Sequence, residues 1–221
     1  MKRLDFARWI LNKRINIKKY FICSDEAYFY LNGGHNIQND RIWAEFQPNE
    51  IIEQPLHDEK VMVWCAFSGT CMYGPYFFDT NVKWKNYLEM LKEFFWPKVR
   101  TKYSYAKERE KLYFQQDGAP PHRKKEVQDW LKGKFGDKFI NTSRWPPRSP
   151  DLNPCDFSLW GGLKSKVYEP KPKNLEELKQ NITREIKNFQ KNDMQKHFVN
   201  LEKRLEMLIN EKGGQIEHLL K

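Results

Sequence analysis

Tyr113-Phe114-Gln115-Gln116-Asp117-Gly118-Ala119-Pro120-Pro121-His122 is the stretch whose reading decides the fold. An aromatic, strand-forming approach over 112–116 ends on one aspartate, and Gly-Ala-Pro-Pro prevents the strand from continuing. A carboxylate at a strand end is carried on rigid backbone and can face a cleft. Two more aspartates stand in similarly punctuated settings. One is Asp25 in Phe21-Ile22-Cys23-Ser24-Asp25-Glu26-Ala27, and the other is Asp156 in Ser149-Pro150-Asp151-Leu152-Asn153-Pro154-Cys155-Asp156.

Outward from this core, the pattern alternates. Strand signals cover 20–31, closed by Asn32-Gly33-Gly34, and then 61–67 and 71–78, joined by the hairpin signal Ser68-Gly69-Thr70. Trp84, Tyr87, Leu88, Leu91 and Phe95 recur at helical spacing with Pro97 as the stop, and 98–110 reads as a charged connection. An amphipathic helix over 125–135 ends at Gly136. A short strand over 138–142, a helix from near Asn153, and two long charged helices near 174–190 and 193–211 follow. This order predicts an α/β fold, a mixed sheet covered by helices on both faces. The divisions are a basic arm or helix over 1–19, a body over 20–168 and a helical extension over 169–221. Residues 35–60 form a polar excursion carrying Pro48, Pro55 and a short strand signal at 41–46.

The chain has 221 residues, a net charge of +10 and 39% apolar residues, with 15 Phe, 10 Tyr and 8 Trp. That is a folding composition, and the charge favours polyanionic partners, nucleic acid first. No apolar run approaches the roughly 18 residues of a membrane span, and the start lacks a secretory pattern. An intracellular protein without a membrane partner is expected. Cys23, Cys65, Cys71 and Cys155 form neither a CxxC pair nor a zinc-finger pattern, and are expected as reduced thiols, mostly in the core.

Side chains alternate along a strand, so Asp25 shares a face with Cys23 and Ala27 while Glu26 faces away. If the strand of Asp117 pairs in parallel with that of Asp25, both carboxylates emerge at one sheet edge. Asp156 would be the third residue of a helix capped by Asn153 with Pro154 first. Such an acid stabilises a helix by about 0.3–1 kcal/mol, and the same placement lets it point across a cleft. Asp151 is the other candidate for a third acid and reads as a turn acid. Three carboxylates suit Mg²⁺ or Mn²⁺. Two such ions about 3.5–4 Å apart would activate a water or a 3′-hydroxyl and stabilise the leaving oxygen of a phosphodiester.

His122 is placed to touch DNA phosphate or a catalytic water, or else to cap and pack locally. Arg123, Lys124 and Lys125 adjoin Asp117 and read as contacts to a DNA backbone. Lys98, Arg100, Lys102, Lys107, Arg109 and Lys111, interleaved with Tyr103 and Tyr105, read either as phosphate contacts or as a solvated loop.

At Ser24-Asp25-Glu26-Ala27, Gln116-Asp117-Gly118-Ala119-Pro120-Pro121-His122 and Ser149-Pro150-Asp151-Leu152-Asn153-Pro154-Cys155-Asp156 the sequence resembles the catalytic domain of Tc1/mariner-type transposases. Asn36-Ile37-Gln38-Asn39-Asp40-Arg41-Ile42-Trp43 and Gly213-Gly214-Gln215-Ile216-Glu217-His218-Leu219 extend the resemblance over nearly the whole chain. It implies an RNase H-like fold and a DDE/D metal site with Asp25, Asp117 and Asp156 as catalytic residues and ligands of Mg²⁺ or Mn²⁺, as two ions. It also implies cleavage of DNA at transposon ends, joining of 3′ ends to a TA target, a homodimer and nuclear localisation. Residues 32–60 are placed as the loop that clamps the partner copy. Only about 19 residues precede the domain where the family carries paired helix-turn-helix domains, and 38 residues separate Asp117 from Asp156, a longer interval than in the best-known branches. The alternatives are a non-catalytic remnant that binds nucleic acid or dimerises, and an RNase H-type ribonuclease.

Overall fold

The computed structural model describes residues 2–33, 59–191 and 194–220. The expected clamp loop and the strand signal at 41–46 therefore lie almost wholly outside the described residues. Five strands form one sheet: β1 Phe21–Tyr30, β2 Lys60–Ser68, β3 Cys71–Phe78, β4 Tyr113–Gln115 and β5 Phe139–Ile140, in the order β3-β2-β1-β4-β5. The first three run antiparallel to their neighbours, and β4 and β5 continue from β1 in parallel. The predicted mixed sheet is the one observed.

Nine α-helical segments surround it among the described residues. They are α1 Lys2–Asn12, α2 Ile17–Tyr20, α3 Trp84–Glu89, α4 Trp96–Lys102, α5 Ala106–Arg109, α6 Lys125–Phe135, α7 Gly161–Lys164, α8 Leu175–Lys191 and α9 Gln195–Asn210. Alternation along β1 splits the core into two layers. Phe21, Cys23, Ala27 and Phe29 pack with α1, α8, α9 and the segment around Cys155. Ile22, with Trp64 and Phe114 from the neighbouring strands, packs against Tyr87, Val99 and Leu131 from α3, α4 and α6. Asp25 belongs to the first face and Glu26 to the second.

Pro97 does not stop the helix, contrary to the reading of the sequence. The chain loosens into a π-helical turn over Met90–Phe95, and Pro97 enters the first turn of α4. There its missing N–H deprives the helix of little. Helices α4 and α5 thus occupy most of the expected charged connection. Strand β5 is shorter than expected because Asn141 turns the chain: its carbonyl accepts the Arg144 and Trp145 N–H groups and its side chain accepts that of Ser143. Helix α6 ends as read, at Gly136 with φ 55°.

The first helix is packed, not a loose arm. Phe6, Ala7 and Ile10 are buried, and the Phe6 ring meets Trp145 edge-on at 5.1 Å. Arg3 reaches the far end of the sequence, donating to the carbonyls of Gly213 and Gly214 at 3.3 and 3.2 Å. Gly213 has φ +88°, and a Cβ there would lie 3.1 Å from that of Leu4. Only glycine fits both constraints comfortably. The terminal Gly-Gly-Gln-Ile motif is thus a docking element, with Ile216 fully buried.

Candidate active site

Strands β1 and β4 pair with Ile22 opposite Phe114 and Cys23 opposite Gln115. Carrying that register two residues on places Asp25 beside Asp117. Past the end of β4, Asp117 Oδ1 accepts the Ala119 N–H at 2.9 Å, the local turn that Gly-Ala-Pro-Pro enforces. Asp156 comes from the opposite direction. Asn153 caps its turn as expected, with Oδ1 accepting the Cys155 N–H at 3.1 Å and its carbonyl accepting those of Asp156 and Phe157. Cys155 is buried against Cys23, sulfur to sulfur at 3.7 Å, and this seats the turn on β1 two residues from Asp25. This brings Asp156 close enough to Asp25 for the two carboxyls to perturb one another's ionisation. All four cysteines are free thiols, as expected.

The electrostatics divide the three acids. Burial, then the neighbouring charge of Asp156, holds the Asp25 carboxyl well above the usual range, against the hydrogen bond that Trp160 Nε1 donates to Oδ2 at 2.9 Å. Burial also raises Asp156, with the Asp117 charge adding to it and Asn153, Asp25 and Lys164 opposing. For Asp117 burial acts in the same sense, but the bonds from His122 and the Ala119 N–H outweigh it and hold the carboxyl below its usual value. His122 is buried, which disfavours its charge, yet Glu26 and Asp117 together push it up to about 10. Its Nδ1 lies 2.6 Å from Asp117 Oδ1 and its Nε2 3.1 Å from Glu26 Oε1. An imidazolium donating to both is the state this geometry favours.

Asp25, Asp117 and Asp156 are therefore brought to one end of the sheet. Among the described residues, no three His, Cys, Asp or Glu side chains stand close enough to enclose a metal ion as they are. Asp151 is no competitor: its two oxygens accept Arg3 Nη1 and Nη2 at 2.8 and 2.6 Å. His122 is 2% exposed with both ring nitrogens engaged, so the expected contact of this residue with DNA is corrected to an internal role. Arg123, Lys124 and Lys125 are exposed, and Lys125 pairs with Asp129 on α6. Arg123 lines a groove of about 400 Å³ with Lys2, Asp117, Trp145 and Arg148. In the basic stretch, Arg109 donates to the carbonyls of Tyr103 and Ser104 and Lys111 to Glu108, which favours the local reading for these two.

Glu26 and Trp160 escaped the reading of the sequence as site residues. Trp160 follows Asp156 by one helical turn, a spacing that places both on one side. Glu26 faces away from Asp25, and on the opposite face it meets His122, which in turn meets Asp117.

The family model for DDE superfamily endonuclease matches residues 22–179. The Tc3 transposase of Caenorhabditis elegans is 29% identical over 99% of this chain and 63% of its own length. The Tcb2 transposase of Caenorhabditis briggsae is 31% identical over 66% of this chain and 51% of its own. The chain thus spans about half to under two thirds of these relatives. The Mos1 transposase catalytic domain, solved with raltegravir and Mg, superposes with a TM-score of 0.72 over 98% of this chain and 96% of that one at 18% identity, which establishes the RNase H-like fold. A matching sheet, three converging aspartates and these likenesses agree: the chain belongs to the DDE superfamily endonucleases, as a Tc1/mariner-type transposase catalytic domain.

Proposed function

We propose that the chain carries the catalytic machinery of a DNA transposase, cutting phosphodiesters at transposon ends and joining the 3′ ends to a TA target, with Asp25, Asp117 and Asp156 as the ligands of Mg²⁺ or Mn²⁺. One observation carries the reading: the fold gathers Asp25, Asp117 and Asp156 at one end of the sheet, where Asp25 and Asp156 are desolvated, disturb each other's ionisation and form no salt bridge with Lys or Arg among the described residues. Like charges so placed repel unless they share a proton or a cation, and a donor set made only of carboxylate oxygen fits a hard divalent ion. The Mos1 catalytic domain has been solved with Mg and with Mn, and Mos1 transposase in a paired-end complex with a left transposon end.

Bound by these acids, the cation supplies Lewis acidity at the phosphate and lowers the pKa of the attacking water or 3′-hydroxyl. The chain's own residues do the remainder. Asp25 and Asp156, whose carboxyls are raised, would have to be deprotonated to serve as ligands, while the Asp117 carboxyl is already lowered and held in place by His122 and the Ala119 N–H. Lys2, Arg123 and Arg148 put three cations along the groove beside Asp117, where a DNA strand's phosphates would be neutralised, and Trp145 gives it an apolar wall. From the family resemblance we infer a homodimer that works on chromosomal DNA in the nucleus. No helix among the described residues is long and apolar enough to cross a membrane.

The test is nicking and strand joining of transposon-end DNA by the purified chain with Mn²⁺ or Mg²⁺, alongside Asp117→Ala. Metal-dependent products from the wild type alone are expected. Equal products from both, or cleavage confined to an RNA–DNA hybrid, would remove the reading. DNA binding should fall with salt at a log–log slope of about −0.9 per phosphate neutralised.

A further inference from the structure

We propose that Glu26 and His122 are positioning residues for the metal site: a strut running from the opposite face of the sheet that fixes one oxygen of Asp117 and leaves the other for the cation. The inference rests on the reading of Asp117 as a metal ligand. Both hydrogen bonds made by this carboxylate, from His122 and from the Ala119 N–H, fall on Oδ1, and Oδ2 has no partner among the described residues. A ligating carboxylate whose second oxygen is held by an outer partner is an oriented ligand.

The strut is itself braced. The His122 carbonyl accepts Gln128 Nε2 at 2.6 Å and Gln116 Nε2 at 3.3 Å, and Gln116 Oε1 accepts the Tyr87 hydroxyl at 2.8 Å. The Tyr87 ring lies against the imidazole, centroids 4.3 Å apart. His122, Tyr87 and Gln116 are at most 2% exposed, so the imidazole has little freedom to swing. The Gly-Ala-Pro-Pro turn delivers it: the Ala119 carbonyl accepts the His122 N–H at 2.9 Å, folding the fifth residue after Asp117 back onto it. An apolar side chain would fill the space beside Tyr87 without desolvating a charged group. The polar solution spans two sheet faces and ends on a single ligand oxygen. That is an aiming device more than a packing one.

The experiment measures Mn²⁺ binding to the full chain by the electron paramagnetic resonance of free Mn²⁺, with folding followed by circular dichroism and thermal melting. The wild type should bind and Asp117→Ala should not; equal binding by these two defeats the metal-ligand reading, and the strut with it. Given that difference, His122→Ala should weaken Mn²⁺ by about 10- to 100-fold. His122→Asn, whose amide nitrogen occupies nearly the place of Nδ1, should recover most of the loss, which a purely structural role would not produce. Glu26→Gln, which keeps the shape, should weaken binding by a smaller factor at unchanged fold. A folded His122→Ala chain with wild-type affinity, or an Asn variant no better than Ala, overturns the strut while leaving Asp117 as a ligand. Should His122→Ala not fold, Glu26→Gln decides: unchanged affinity overturns the proposal and a reduced one upholds it.

Discussion

Asp151 and Asp156 lie five residues apart in one proline-rich segment, yet the fold treats them in opposite ways. Asp151 is 5% exposed and both of its oxygens are taken by Arg3, while Arg204 from α9 donates to its carbonyl at 3.0 Å. Asp156 keeps part of its surface in solvent, is partly desolvated, and has a second acid, Asp25, as its neighbour in place of an arginine. The first charge is answered within the fold and ties α1, the turn and α9 together. The second is left with an unfavourable neighbour. Acids of the first kind hold structure, and acids of the second kind mark chemistry, because stability is given up where a ligand will restore it.

The largest effect should come from removing the unanswered charge. Asp156→Asn should lower Mn²⁺-dependent nicking by at least about 10²- to 10³-fold, since a charge that acts in the transition state is lost. Its thermal midpoint without metal should hold or rise. A drop in that midpoint would mean that Asp156 is a helix acid and not a functional one.

Next in size is the answered charge. Arg3→Ala strands a buried carboxylate and should cost about 3 kcal/mol in urea unfolding. An unchanged midpoint would erase the distinction between the two aspartates.

Smaller effects lie in the pH dependence. The folded-state value of Asp25 is raised, so its carboxyl binds protons more tightly in the native state. Metal-free stability should therefore grow as pH falls from that raised value toward the unfolded value of about 3.9. Asp25→Asn should flatten that rise, and added Mn²⁺ should reverse its direction. His122 works the other way at the alkaline end. Its raised value means a contribution fully present below about 6.5 and lost as pH climbs through about 10. His122→Gln should remove that alkaline loss in thermal melts.

Much of this contrast was legible in the sequence. Gly-Ala-Pro-Pro after an aromatic run fixes where β4 ends, alternation places Asp25 with Cys23, and Asn153-Pro154 announces the turn that carries Asp156. These are local signals, written within a few residues. The strut was not legible, since Glu26 and His122 are separated by the whole β1–β4 crossover and meet only because the two strands pair in parallel. The Arg3–Asp151 pair was hidden for the same reason, joining residues 148 positions apart. Pro97 misled because a π-turn absorbs its missing donor, a tertiary accommodation that no short window displays.

The Arg3 clasp has an architectural consequence. By gripping Gly213 and Gly214 while Lys2 lines the Asp117 groove, it sets the start of α1 beside the glycine pair that follows α9. A module grafted ahead of Lys2 would start its journey within reach of any strand lying there, so a reader of DNA sequence attached at that point would hand its target over without a long tether. The same proximity makes a circular permutant, its ends spliced together and reopened at a distant turn, a feasible rewiring of the fold.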